Sequence, residues 1–247
     1  GVFDAIGEMK IDNQSIGNQY FLKVNVMPSL NICFCEINDI GSMKYLQTAI
    51  TSIANESVFS ISECSSDYSD IYSYDIIILN DYALLDKEEI YLYAEKGGHV
   101  IFFPNTSNSP DSLYFKNLDF NMYLDKSELR VSKQSIISEY ILNNAFKNMK
   151  EKTIFTIKDK YLLPLNNSSI IEVLNKGSLW NRINYKNGII DIFGFNLDIA
   201  ANDFSLKGAF LPFTYLLLTS NDKIKADKVF LGEKKISDNI FFDNQNL

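Results

Sequence analysis

The segment from Tyr74 to Pro104 constrains the fold of this chain more than any other part of the sequence. Residues 76–79 form an unbroken aliphatic run, which is typical of a strand covered on both faces in a parallel sheet. A short amphipathic helix is predicted next, because Asp86 and Glu89 have the spacing of a capping box. Gly97-Gly98 supplies a left-handed helix end, and a second buried-type strand follows at once. The segment therefore predicts a βαβ unit with two parallel strands.

The flanking sequence repeats this alternation. Residues 30–37 predict a strand, a helix begins at about Ser42, and residues 57–62 predict a short strand. The order β-α-β-(α)-β-α-β favours an α/β fold with a flavodoxin-like, doubly wound, mostly parallel sheet and flanking β segments. Further along, Asn187-Gly188 indicates a β-hairpin, and residues 208–218 are typical of a closing helix.

The chain divides into three predicted parts. Residues 1–28 are expected to be the end of a β-sandwich or a β-strand pair, because apolar side chains alternate along residues 20–26. Residues 29–220 are expected to form the α/β domain, in which residues 112–175 are a divergent insertion or a β-rich part. Residues 221–247 are interpreted as a tail or as the start of a further β domain.

Charge and composition exclude several classes of function. The net charge is −8 with acidic and basic residues interspersed, whereas a nucleic-acid-binding protein needs a clustered basic face. Of the three cysteines, Cys33 and Cys35 share one strand face and Cys64 stands apart, so small buried hydrophobic residues are expected rather than a disulfide framework. A zinc site would need about four ligands, and the chain has one histidine. No metal ion and no cofactor are therefore expected.

Polar side chains follow several predicted strands. They are Asn38, Asp39, Asn80, Asp81, Asn105, Thr106, Ser107, Asn196 and Asp198. Ligands of parallel sheets bind at the carboxyl ends of strands, and the three aspartates of this rim could suit Mg²⁺ or Ca²⁺. Turn formation alone also explains Asn and Asp at such positions, so both interpretations stay open. The single histidine, His99, begins a strand at the opposite edge, where a structural or surface role is expected.

The segment from Tyr74 to Pro104 resembles the class I glutamine amidotransferase-like superfamily. In those enzymes the strand after the double glycine leads into a nucleophile elbow, Gly-x-Cys-x-Gly, and a late strand ends in Gly-x-x-Phe-His-Pro-Glu. Here the first strand leads into Phe-Pro-Asn-Thr-Ser, with Asn105 in the elbow, and the late strand ends in Gly-Phe-Asn-Leu-Asp. Asn196 then replaces the histidine and Asp198 the glutamate. Since Asn cannot act as a base near neutral pH, the resemblance implies a degenerate site with no catalytic residue.

A closer likeness is to the non-catalytic version of this domain in aerotolerance-type (BatA-like) bacterial membrane proteins. Residues 12–21 resemble the closing strand of their β-sandwich, and residues 191–212 resemble their final strand and helix. The likeness covers most of residues 12–220, although residues 112–150 have no counterpart. It implies a non-enzymatic binding or scaffold domain of a bacterial cell-envelope protein, on the periplasmic side, with protein partners in a membrane complex. The membrane would be reached through segments outside this chain.

Two alternative functions remain open at this point. One is an enzyme or sensor that binds a small ligand or a divalent cation at the acidic strand-end rim. The weaker one is a carbohydrate-associated domain, because related amidotransferase-like folds accompany sugar enzymes.

Overall fold

The computed structural model describes residues 2–11, 14–25, 29–35, 40–53, 59–64, 70–80, 87–104, 112–115, 120–150 and 152–220. The chain divides into two compact units, residues 29–223 and residues 1–28 with 224–247. The described part of the smaller unit is an antiparallel pair of strands, with Val2 opposite Asn25. The second of these strands coincides with the alternating apolar pattern of residues 20–26. Residues 221–247 lie outside the described residues.

The secondary-structure elements are numbered in chain order. The strands are β1 (Val2–Ile11), β2 (Gln14–Asn25), β3 (Leu30–Cys35), β4 (Phe59–Glu63), β5 (Ile76–Leu79), β6 (His99–Phe102), β7 (Ser112–Phe115), β8 (Phe120–Asp125), β9 (Leu129–Ser132), β10 (Thr153–Ile157), β11 (Lys160–Leu162), β12 (Ser169–Val173), β13 (Gly177–Tyr185) and β14 (Gly188–Phe193). The α-helices are α1 (Ile40–Ile53), α2 (Lys87–Glu95), α3 (Glu139–Asn144) and α4 (Phe210–Thr219).

A seven-stranded sheet forms the centre of the larger unit, in the order β12-β13-β14-β6-β5-β3-β4. The strands from β14 to β4 are parallel to one another, whereas β13 and β12 extend the sheet in antiparallel fashion. Numbered along the chain, the five parallel strands have the spatial order 2-1-3-4-5, which is the order of flavodoxin-like sheets. The fold is thus mixed α/β with a largely parallel central sheet.

The βαβ unit predicted from the sequence is confirmed. Strands β5 and β6 are adjacent and parallel, and every residue of both strands is buried. Helix α2 lies between them and ends at Glu95, and Gly97 follows with a φ of 95°. The Gly98 amide donates to the Tyr93 carbonyl at 3.0 Å and the Gly97 amide to the Ala94 carbonyl at 2.8 Å, which closes the last turn in a Schellman arrangement.

The two faces of the central sheet are covered by different helices. Helix α2 packs on β6, β13 and β14 and contributes Tyr93 and Ala94 to a core cluster with the side chains of Ile77 and Val100. On the opposite face, Trp180 contacts Phe213 of α4 edge-on at 5.5 Å, and α1 packs against α4. Both faces of β5, β6 and β14 are therefore buried, as expected for the largely apolar inner strands of a parallel sheet, whereas the edge strand β4 is mostly exposed.

Residues 112–175 are rich in strands, which is one of the two interpretations that the sequence leaves open for this part. They contain the three-stranded sheet β11-β8-β7 and the pair β10-β9. From the sequence alone, residues 135–140 and 144–149 predict two short helices, but the structure has one α-helix there, α3, which begins after the N-cap Ser138. Neither range is confirmed: Ile136 is extended and forms an antiparallel bridge with Ile171, and residues 145–148 form turns and a bend.

Candidate functional site

A buried polar cluster lies on the sheet face that α4 covers. Asp191 of β14 is fully buried and accepts hydrogen bonds from three side chains of the neighbouring strands. Arg182 donates from Nε to Oδ1 and from Nη2 to Oδ2, both at 2.8 Å. Trp180 Nε1 donates to Oδ1 at 2.7 Å, and His99 Nε2 lies 2.7 Å from Oδ2. The carboxylate is thus held by a bidentate guanidinium, an indole and an imidazole.

Strand register explains why these four side chains meet. Arg182 is directly opposite Asp191, and Trp180 is opposite Phe193, so alternate residues of β13 point to the face that carries Asp191. On the other side, β6 is parallel to β14 with His99 level with Ile189. His99 therefore reaches Asp191 diagonally across the strand pair.

Burial and the neighbouring charges set the protonation states in this cluster. Burial alone would raise the pKa of Asp191, but the Arg182 guanidinium and the hydrogen bonds from His99 and Arg182 lower this pKa to about 2. Burial lowers the pKa of His99, and the charge of Arg182 acts in the same direction against the opposing attraction of Asp191. Since a carboxylate only accepts, Nε2 of the neutral imidazole carries the proton, and Nδ1 has no hydrogen-bond partner among the described residues.

The sequence placed His99 at the amino edge of the sheet, and the structure agrees with that position. A surface role is excluded because the side chain is 0% exposed. In the sequence reasoning, Asp191 was used only as part of the family resemblance. An aspartate inside the apolar run of β14 already indicates a buried polar site. A charge in a strand that is buried on both faces requires a partner, and here the partners are Arg182 and His99.

At the carboxyl end of β14, Asn196 and Asp198 shape the chain that turns towards α4. The Asn196 side-chain oxygen accepts from the Asp198 amide at 3.2 Å, and the Asp198 side chain accepts from the Ala200 amide at 2.9 Å. The buried Asn202 donates from Nδ2 to the Asn196 carbonyl, and its own oxygen accepts from the Phe204 amide at 2.9 Å. The three bonds in which a side-chain oxygen accepts from the amide two residues further on are those of Asx turns, so both predicted positions help to build a loop.

The remaining predicted rim residues are described only in part. Asn80 directly follows β5 and is buried, with 2% exposure. The other predicted rim residues lie outside the described residues, namely Asn38, Asp39, Asp81, Asn105, Thr106 and Ser107. The proposed grouping of three rim aspartates therefore stays a prediction.

The structure corrects the expectation that Cys64 stands apart. Its sulfur is in contact with the sulfurs of both Cys33 and Cys35, and the three sulfur atoms all lie within 4.8 Å of one another. The sequence could not reveal this, because Cys64 is brought beside β3 only by the parallel pairing of β4 with β3. Among the described residues, this is the one group of three or more His, Cys, Asp or Glu side chains close enough to share a metal ion.

A buried lysine was also missed by the sequence analysis. Lys160 begins β11 and its side chain is 1% exposed. Its ammonium group donates to the Ser127 carbonyl and lies 3.5 Å from the Asp125 carboxylate. Burial lowers the pKa of Lys160, against the attraction of Asp125. These contacts hold the loop after β8 in place, and this structural role explains why the lysine is buried.

Within the described parts of the chain, no helix has both the length and the hydrophobicity of a transmembrane span. No protein-family model and no curated protein matches the chain.

Two solved structures are similar to it at a distance. A ThuA-like protein from Bacteroides uniformis ATCC 8492 is 14% identical with a TM-score of 0.45, over 81% of this chain and 95% of that one. An exo-beta-1,4-mannosidase from Opitutaceae bacterium strain TAV5 is 9% identical with a TM-score of 0.43, over 80% of this chain and 35% of that one. These are distant likenesses, and neither of the two is a BatA-like protein.

Proposed function

We propose that residues 29–220 are a flavodoxin-like, doubly wound domain of the class I glutamine amidotransferase-like type that has lost its catalytic site. The 2-1-3-4-5 order of the parallel strands supports this assignment, as do the positions of α2 and α4 on opposite faces of the sheet. In this assignment the domain acts as a non-enzymatic binding or scaffold domain.

The observation that carries the proposal is the location of the chain's only histidine. His99 is fully buried at the amino edge of the sheet and bonded to Asp191, whereas ligands of such sheets bind at the carboxyl edge. A cysteine–histidine pair at the carboxyl edge therefore cannot be assembled from this chain. At that edge, Asn196 and Asp198 form a turn, at the two positions that the resemblance aligns with the histidine and glutamate of the enzymes.

The cellular setting that we propose follows the resemblance to BatA-like proteins. The domain belongs to a bacterial cell-envelope protein, is exposed on the periplasmic side, and binds protein partners in a membrane complex. Crosslinking in intact cells of the source bacterium, followed by separation of membrane and soluble fractions, tests this setting. Recovery of the crosslinked chain only from the soluble cytoplasmic fraction would contradict it.

Hydrolysis assays test the loss of catalysis. The purified chain is expected to hydrolyse neither glutamine nor a simple ester above background. Asn105→Ala and Asn196→Ala should leave that background unchanged, as should the control Asn184→Ala, which removes an exposed asparagine from β13. Activity above background that is lost in the first two variants but kept in the control would refute the proposal.

Thermal unfolding with Mg²⁺ or Ca²⁺ separates this proposal from the cation-dependent alternative. A ligand that binds only the native state raises the Tm by mass action. We expect no shift at millimolar concentrations of either ion. A rise that disappears in Asp198→Asn would instead favour a cation sensor at the carboxyl edge.

A further inference from the structure

Three cysteines converge at the carboxyl end of β3. Cys33 and Cys35 are alternate residues of this strand and are 0% and 1% exposed, so both point into the core on the α2 side. Cys64 directly follows the edge strand β4, is partly exposed, and is fixed by a 3.0 Å hydrogen bond from its amide to the Phe34 carbonyl. These are all the cysteines of the chain, and their sulfurs lie within 4.8 Å of one another.

One disulfide does not account for this arrangement. The Cα atom of Cys64 lies 5.5 Å from that of Cys33 and 5.1 Å from that of Cys35, and both distances are compatible with a disulfide bond. A sulfur atom forms only one disulfide bond. If Cys64 bonds to one of the two strand cysteines, the sulfur of the other is left in contact with the disulfide and without a bond of its own. Cysteines that serve only as small hydrophobic residues of the core also have no need to bring their three sulfur atoms together.

We propose that Cys33, Cys35 and Cys64 form a three-thiolate site for one thiophilic metal ion of the Zn(II) or Cu(I) type. Thiolates are the ligands that select these ions over Mg²⁺ and Ca²⁺. Binding would release the thiol protons to solvent, so that three sulfur–metal bonds replace three S–H bonds. The site is independent of the proposed scaffold function.

The surroundings of the three sulfurs fit such a site. Cys33 and Cys35 are fixed by a strand that is paired on both sides, with Cys35 level with Leu79 of β5. A bound ion would space the sulfurs more widely than a disulfide does, since each Zn–S bond is about 2.3 Å. Cys64 is the ligand that can move to accommodate the ion, because it lies at the end of an edge strand. Its exposure to solvent also provides an entry path for the ion.

Metal titration of the reduced full chain under anaerobic conditions tests the site. Zn²⁺ alone and Cu⁺ alone are each added and followed by native mass spectrometry and by alkylation of the thiols. The expected result is one ion per chain for at least one of the two metals, with the partly exposed Cys64 thiol of the native chain protected from alkylation. Mg²⁺ serves as the hard-cation control and should neither bind nor protect.

Variants locate the ion. Cys64→Ser should lower the affinity by more than the roughly 10- to 100-fold that loss of an outer-shell partner costs. Ser62→Ala is the matched control, because Ser62 is level with Cys33 in the sheet and carries no sulfur. If the serine variant fails to fold, thiol protection in the unmodified chain still decides the question. The site is disproved if the reduced chain binds neither metal, if the Cys64 thiol reacts equally with and without metal, or if Cys64→Ser binds as tightly as Ser62→Ala.

Discussion

The carboxylate of Asp191 is the centre of the buried polar cluster beneath α4. Removing a charge from water costs several kcal/mol, and that cost is offset only when the charge is paired and fully hydrogen-bonded. Asp191 meets this condition through the two bonds from Arg182, the indole of Trp180 and the imidazole of His99. Each partner comes from a different position of the sheet, so the cluster forms only when β6, β13 and β14 are aligned.

Asp191→Asn is expected to destabilise the chain by about 3–5 kcal/mol, because it leaves the Arg182 guanidinium without its counter-charge in a largely buried position. Urea unfolding followed by circular dichroism measures this difference. Glu128→Gln is the matched control, since it removes the carboxylate of an exposed pair with Arg130 and should change stability by less than about 0.5 kcal/mol. Equal effects of the two substitutions would show that the buried pair contributes no more than the exposed one.

Stability should also fall as the pH drops below about 6.5. The unfolded chain binds a proton at His99 near this pH, whereas burial holds the folded pKa lower, so the unfolded state binds more protons. The slope is at most about 1.4 kcal/mol per pH unit, and His99 is the only histidine that contributes to it. A second loss follows at lower pH, because Asp191 stabilises the fold above its unfolded pKa of about 3.9 and loses this contribution towards its folded pKa of about 2.

Urea midpoints between pH 7.5 and pH 5 measure the first loss. His99→Gln keeps a donor for Asp191 but does not titrate, so its midpoint should be nearly constant over that interval. An unchanged slope in this variant would contradict the assignment of a neutral buried imidazole.

At the scale of elements, the β13–β14 hairpin contains a glycine that is required by packing and not by the turn. The sequence places Asn187-Gly188 at the centre of the hairpin, and the hairpin is confirmed. The turn itself lies one residue earlier, at Lys186-Asn187, and Lys186 takes the positive φ of 51°. Gly188 is the first residue of β14, where a Cβ would collide with the carbonyl oxygens of Ala94 and Gly98. The glycine is needed for the approach of β14 to the end of α2 rather than for the turn.

Gly188→Ala is therefore expected to destabilise the chain by about 1–3 kcal/mol, as overpacking does where the neighbouring atoms belong to the backbone and cannot turn away. Gly208→Ala is the matched control, because a Cβ there meets nothing within 4 Å. Thermal unfolding of the two variants side by side gives the comparison. The explanation fails if both alanines are tolerated equally well.

At the scale of the whole molecule, the sequence predicted the elements whose signals are local. The apolar runs of β5 and β6 and the glycine end of α2 are sufficient to predict the βαβ unit. The rest depended on contacts between distant residues. The cysteine cluster needs β4 to pair with β3, and the Asp191 cluster needs three strands in register. Residues 112–175 were the least predictable part, because bridges such as that between Ile136 and Ile171 override local helix propensity.

The acidic character of the whole chain gives a further prediction. With a net charge of −8, the chain should not bind single-stranded or duplex DNA or RNA at physiological salt. An electrophoretic mobility-shift assay with protein up to about 100 μM covers the usual range of non-specific affinities. A shifted band that weakens as the salt concentration rises would indicate a basic surface that the net charge conceals.

Trp180 is the only tryptophan of the chain and is fully buried between the Asp191 carboxylate and the aromatic rings of Phe193 and Phe213. The intrinsic indole fluorescence of the protein therefore comes from a single position. Its emission reports whether α4 is seated on the sheet and whether the carboxylate keeps its bond to the indole. An event at the carboxyl edge or at the cysteines would change this signal only if it also moved β13, β14 or α4. The chain thus carries an optical probe of one face of its core that needs no label.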